Sequence, residues 1–199
     1  MYSNIQKVVL IILLYIIGNC GVVYAQHVSF GTWAGGDIVI TTGTPGNLNF
    51  NDKTQVIIPG VNQSVTINLY EAQTAVLTIE GTEYLDVTVY IDGPNTLDLD
   101  ASNKIPIAVR FAYSNLNPAD VLTAKTQAIE VPAGFNSATF PIFRRINGPP
   151  GPPPTPPSSG YVPPRKKAYL FIYGILGPVP NVDAGIYEGI INVTVEYSK

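Results

Sequence analysis

Charge, thiols and imidazoles are all scarce in this chain of 199 residues: 13% of them are charged, Cys20 is the only cysteine and His27 the only histidine. A single histidine excludes Ser-His-Asp and Cys-His nucleophile systems and every multi-histidine metal site. A single cysteine excludes an internal disulfide and a Cys-based metal site. Cations are not in excess either, since 11 Lys and Arg stand against 14 Asp and Glu for a net charge of −3. A nucleic-acid surface needs clustered cations to displace phosphate counterions, so no nucleic-acid partner is expected. Helical periodicity is missing as well, because no 11-residue window after Gln26 sustains apolar spacings of three and four. Only paired carboxylates remain for catalysis. The expectation is a non-enzyme with no catalytic, cofactor-binding or metal-binding residues.

What the chain does have is apolar bulk, 46% hydrophobic with 10% aromatic residues, which is too much for disorder and enough for one core. The first 25 residues stand apart. Lys7 precedes the apolar run Val8 to Ile17, and Val23-Tyr24-Ala25 places acceptable residues before a cut after Ala25. This is the pattern of a secretory signal peptide, with an apolar run too short to span a bilayer. The mature chain then starts at Gln26, without a membrane span, and resides in the periplasm, at the outer surface or outside the cell. A lipoprotein cut before Cys20 is the alternative, but Asn19 stands where such signals carry Gly, Ala or Ser.

Beyond the leader the hydrophobic period is two. Strands are expected at Asp37 to Thr42, Ser64 to Tyr70, Ala75 to Glu80, Asp86 to Ile91, Ile107 to Tyr113, Ala128 to Val131, Ala138 to Arg144, Ala168 to Tyr173 and Gly189 to Tyr197. In the last run Ile191, Val193, Val195 and Tyr197 share one face, opposite Asn192, Thr194 and Glu196. Turns are expected at Thr44-Pro45-Gly46-Asn47, Pro59-Gly60 and Asp92-Gly93-Pro94-Asn95, and one helical turn within Asn117 to Lys125. Many short strands with no helices to cover a parallel sheet imply an antiparallel β-sandwich over 37–199.

A Pro-rich stretch from Gly148 to Pro164 holds nine of the 18 prolines and cannot be a central strand. The residues after it are too few to fold alone, so it is expected as a loop inserted between two strands of one domain. Arg144, Arg145, Arg165, Lys166 and Lys167 flank the insertion and converge on one basic patch if its two sides pair. Such a patch either touches an anionic surface or solubilises the root of the loop. Asp98-Leu99-Asp100 puts two carboxylates on one strand face, but without a Gly-rich ligand loop it is not expected to hold calcium.

Asn47-Leu48-Asn49-Phe50, Leu77-Thr78-Ile79-Glu80-Gly81 and the ending Tyr173-Gly174-Ile175-Leu176 through Asp183-Ala184-Gly185-Ile186-Tyr187-Glu188-Gly189 to Tyr197 resemble the bacterial family called Domain of Unknown Function 4402. The closing pattern, Gly-x-Tyr and then an alternating strand ending in Tyr, is similar to that of spore coat protein U and of chaperone-usher fimbrial subunits. The resemblance runs over Ile38 to Tyr197, interrupted by the insertion. It implies an exported, immunoglobulin-like sandwich at the bacterial surface, without catalytic residues. Unlike coat and fimbrial subunits, this chain lacks their usual cysteines.

Two functions follow as expectations: a surface or fimbria-like structural subunit, or alternatively an adhesin-like binding module for a glycan or another surface protein. Partners are then further copies or other surface proteins, met through strand edges. The segment 26–36, with Val28, Phe30 and Trp33, reads as an N-terminal extension that either folds back as a first strand or adds to a neighbour's sheet. The intact mass of exported protein tests the leader. A start at Gln26 is expected, and an acylated Cys20 at the new terminus would instead establish the lipoprotein route.

Overall fold

The structure is a computed structural model, and residues 26–53, 58–83, 85–144 and 164–198 are described. The leader, Arg145 and all of the Pro-rich insertion except Pro164 lie outside them. The fold is all-β, with 52% of the described residues in strands and, among them, a single mixed sheet of twelve strands that curls over its own core. Its strands are β1 (Gln26–Ala34), β2 (Val39–Thr42), β3 (Leu48–Asn49), β4 (Val65–Ile67), β5 (Ala75–Thr82) and β6 (Asp86–Asp92). There follow β7 (Thr96–Asp98), β8 (Lys104–Ser114), β9 (Ile129–Glu130), β10 (Ser137–Pro141), β11 (Arg165–Leu176) and β12 (Tyr187–Tyr197). A 3-10 turn (Phe50–Asp52) and one short helix, α1 (Val121–Thr126), complete it. No helix among the described residues is long and apolar enough to cross a membrane.

The sheet has two halves. In the β12 half the order is β10, β6, β12, β1, β3, with β7 continuing the line of β6 beside the start of β12. In the β11 half it is β2, β5, β11, β8, β9, with β4 continuing the line of β5. β8 belongs to both, pairing β7 through Lys104 to Pro106 and β11 through Ile107 to Ser114. The period-two code accounts for this arrangement. On β12, Ile191, Val193 and Val195 are buried while Asn192 and Glu196 are exposed, and on β5 Ala75, Leu77 and Ile79 turn inward to meet them in one core. Each such Leu or Ile contributes roughly 1.5–3 kcal/mol of burial.

Three expectations are corrected. The sheet is mixed rather than antiparallel, because β1 runs parallel to β12 over nine residues while every other pair among the described residues is antiparallel. The boundary at Asp37 disappears, since β1 is hydrogen-bonded within the sheet rather than extending from it. Asp98 and Asp100 do not share a strand: β7 ends at Asp98, and Asp100 sits in a turn where its carboxylate accepts from the N–H groups of Ser102 and Asn103 at 2.7 and 2.8 Å.

The outer face of the β11 half is covered. Phe171 and Tyr173 alternate with the inward Leu170 and Ile172, yet both are buried, and Val76 joins Phe171 across the strands. Their cover is the crossing segment from Asn115 to Val131, whose helix α1 packs on β11 with Ala124 fully buried. Asp120 caps α1, accepting from the Thr123 N–H at 2.8 Å, so the helical turn falls where the sequence suggested it. Beside it the ammonium of Lys125, buried and with its pKa lowered by desolvation, donates to the Glu71 carbonyl at 2.6 Å.

Close packing of β11 on β8 sets a testable limit. A Cβ at Gly174 would sit against the Ala108 backbone carbonyl, so no side-chain adjustment relieves it. Gly174→Ala should therefore destabilise the fold by about 2 kcal/mol or more, measured as a lower denaturation midpoint with an unchanged slope.

Candidate interaction surfaces

The sequence singled out β1 and the basic residues about the insertion, and the structure treats them differently. On β1, Gln26, Val28 and Phe30 point inward: Val28 is fully buried and Phe30 packs on the core, so both are structural in this arrangement. Trp33, on the opposite face, is 56% exposed. Gln26 is fully buried, with neither its Oε1 nor its Nε2 hydrogen-bonded among the described residues, at a cost of about 1–3 kcal/mol.

β1 is long but only partly covered at its outer edge. β3 pairs with His27 and Val28 alone, whereas the contact with β12 runs through to Ala34. From Ser29 to Ala34 the strand therefore has, among the described residues, a sheet partner on one side only. The other edges are short: β2 has four residues, β9 has two, and β10 has five and ends on Pro141.

The basic residues converge in part. The Lys166 ammonium lies 5.4 Å from the centre of the Phe143 ring, which brings the two flanks of the insertion together, and Arg144 and Lys167 are exposed nearby in the chain. Arg145 lies outside the described residues. Arg165, however, is committed elsewhere. Its guanidinium donates to Asp37 Oδ2 and the Asp37 carbonyl, both at 2.8 Å, and reaches Glu80 Oε1 at 3.3 Å. Tyr197 donates its hydroxyl to Asp37 Oδ1 at 2.7 Å and accepts from the Thr82 N–H at 3.0 Å. This clasp ties β12 to the β11 half, and sequence spacing gave no sign of it because its members lie up to 160 positions apart.

Two clefts open where β10 of one half faces β8 and β9 of the other. The first, about 340 Å³, is lined by Ile91, Ile107, Val109 and Phe111 with the backbone of Gly93 to Asn95. There Ala108 to Arg110 of β8 pair with β11 alone, because the pairing with β7 stops at Pro106, opposite Thr96, and that with β9 begins at Ala112. The second, about 320 Å³, lies beyond Phe135 and is lined by Tyr113, Ile129 and Val131. Their one carboxylate, Glu130, accepts from the buried Tyr173 hydroxyl at 2.8 Å, and burial together with that bond raises the Tyr173 pKa. Both clefts have a mixed polar and apolar lining. The acidic residues at the other end do not gather either: Asp98 pairs with Lys104, Asp100 with Asn103, and no group of three His, Cys, Asp or Glu among the described residues is placed to hold a metal.

A scan against protein-family models finds no match for this chain, and a search of curated proteins finds none either.

The clasp makes acid stability a test. The hydrogen bond from Tyr197, then the charge of Arg165, lower the Asp37 pKa below the ordinary carboxylate value. Stability from a depressed carboxyl is complete above the unfolded-state value near 3.9 and is lost as pH falls through the native value. Asp37→Asn should cost about 1 kcal/mol at neutral pH. Urea midpoints of the two proteins should then converge below about pH 4.

Proposed function

We propose that this chain is an exported, non-catalytic subunit of a bacterial surface assembly, built as an immunoglobulin-like sandwich and joined to its neighbours through strand edges. One observation carries the reading: β1 offers an open edge from Ser29 to Ala34, longer than any other free strand edge described above. An unpaired row of N–H and C=O groups is a template for an added strand, with backbone bonds supplying affinity and alternate side chains specificity. The leader pattern supports export. The resemblance to coat and fimbrial subunits supports assembly as the purpose of the edge. The self-paired β1 bears on how assembly occurs, since a neighbour's strand is received beside β1 instead of β1 being given away.

Light scattering of the chain beginning at Gln26, over a range of concentrations, tests this. Oligomers that grow with concentration are expected. Adjacent residues of a strand direct their N–H groups to opposite sides, so of Gly31→Pro and Thr32→Pro one removes an outward N–H and the other a bond to β12. The variant that keeps the parental unfolding temperature should be monomeric. A parent that stays monomeric at every concentration, or that assembles equally with either proline, overturns the proposal.

A further inference from the structure

The two outer faces of the sheet differ. On the β11 half the face is sealed by the segment carrying α1, whereas on the β12 half no described residue covers it, and its middle row runs Trp33, Thr194, Tyr90 across β1, β12 and β6. Trp33 is 56% and Tyr90 43% exposed. Two strand spacings set their backbones about 9–10 Å apart, with only a threonine between, so the aromatic side chains flank a flat, shallow strip. Small residues keep it flat on the β1 side. The indole covers Gly35, where a Cβ would meet its ring at 3.3 Å, and the Asn192 amide lies over Gly31, where a Cβ would meet its oxygen at 2.5 Å. The row beside the aromatics carries Asn192 and Asp92 as cross-strand partners, and the row on the other side Glu196 and Thr88. The indole N–H, the Tyr90 hydroxyl and the Asn192 amide are engaged by no other described residue.

We propose that this face binds an uncharged, β-linked polysaccharide, with alternate sugar rings stacked on Trp33 and Tyr90. The apolar C–H faces of a pyranose match an aromatic surface, while its equatorial hydroxyls donate to Asp92 and Glu196 and bond to the Asn192 amide. The aromatic spacing is close to the repeat of a β-1,4-linked disaccharide. Charge selects the occupant. Asp92, Glu188 and Glu196 lie on this face, and its one lysine or arginine among the described residues, Lys104, is paired with Asp98. An anionic polymer or anionic lipid is repelled. So is a second copy of the same face, which would set carboxylates against carboxylates. The proposal does not depend on assembly through the β1 edge, because it uses the face of the sheet and not its rim.

Trp33 is the only tryptophan, so its emission reports the site directly. The purified chain is titrated with cello-, xylo- and mannohexaose, and with heparin as an anionic control. A saturable blue shift with at least one neutral hexasaccharide and none with heparin is expected. Calorimetry on Trp33→Ala and Tyr90→Ala should show affinity lowered roughly tenfold or more for each, with unfolding temperatures unchanged because both side chains point to solvent. Asn192→Ala should lower affinity less. Failure of all three neutral probes to shift the emission, a response to heparin alone, or full affinity retained in both aromatic variants would each overturn the proposal.

Discussion

The parallel pairing of β1 with β12 is the constraint on which the remaining structure rests. It joins the first described strand to the last along nine residues, and it sets Val28 against Gly189 and Phe30 against the buried Ile191. Without it β12 would carry β6 and β7 on one side and nothing on the other. Closure across such a sequence distance costs loop entropy that short hairpins avoid, and the buried inner row of both strands offsets it.

The same closure decides where the polar residues go. Asp37 follows β1 directly, so once β1 lies on β12 its carboxylate comes within reach of Tyr197 at the far end of that strand. Arg165, opening β11, completes the contact from the other half. A residue that reads as one of five cations around a proline-rich loop thereby becomes a strut between halves. Of the described cations of that group, Arg144, Lys166 and Lys167 stay at the root of the insertion, where the Lys166 ammonium lies over the Phe143 ring.

Asymmetry between the two outer faces separates architecture from function. Burying Phe171 and Tyr173 beneath α1 and its flanking loops gives the β11 half a second apolar layer, with the Glu130–Tyr173 hydrogen bond at its margin. The β12 half has no such layer among the described residues, and it is there that Trp33 and Tyr90 stand exposed. Exposed apolar patches on a protein surface mark interaction sites. That is the ground on which we propose recognition on this face, and assembly on the strand edge beside it.

Much of the secondary structure was legible because the period-two signal is local. The inward Ile191, Val193 and Val195, the turns at Thr44 to Asn47 and Asp92 to Asn95, and the capped turn at Asp120 follow from residues within a few positions of one another. The all-β class rests on the same local pattern. Two short strands escaped, since β3 and β7 have two or three residues and too few alternations to read. Of the interaction residues, Trp33 was recognisable by its rarity, but Tyr90 was not. Nothing near Tyr90 in the sequence distinguishes it from any outward residue of β6, and only the register Trp33–Thr194–Tyr90 brings the two rings onto one row. The sequence by itself determined which residues alternate and therefore which side chains leave the core. Tertiary structure decided which strands adjoin, that β1 runs with β12, and which outer face stays bare, because backbone hydrogen bonds between strands are blind to side-chain identity and their pairing is settled by how the whole core closes.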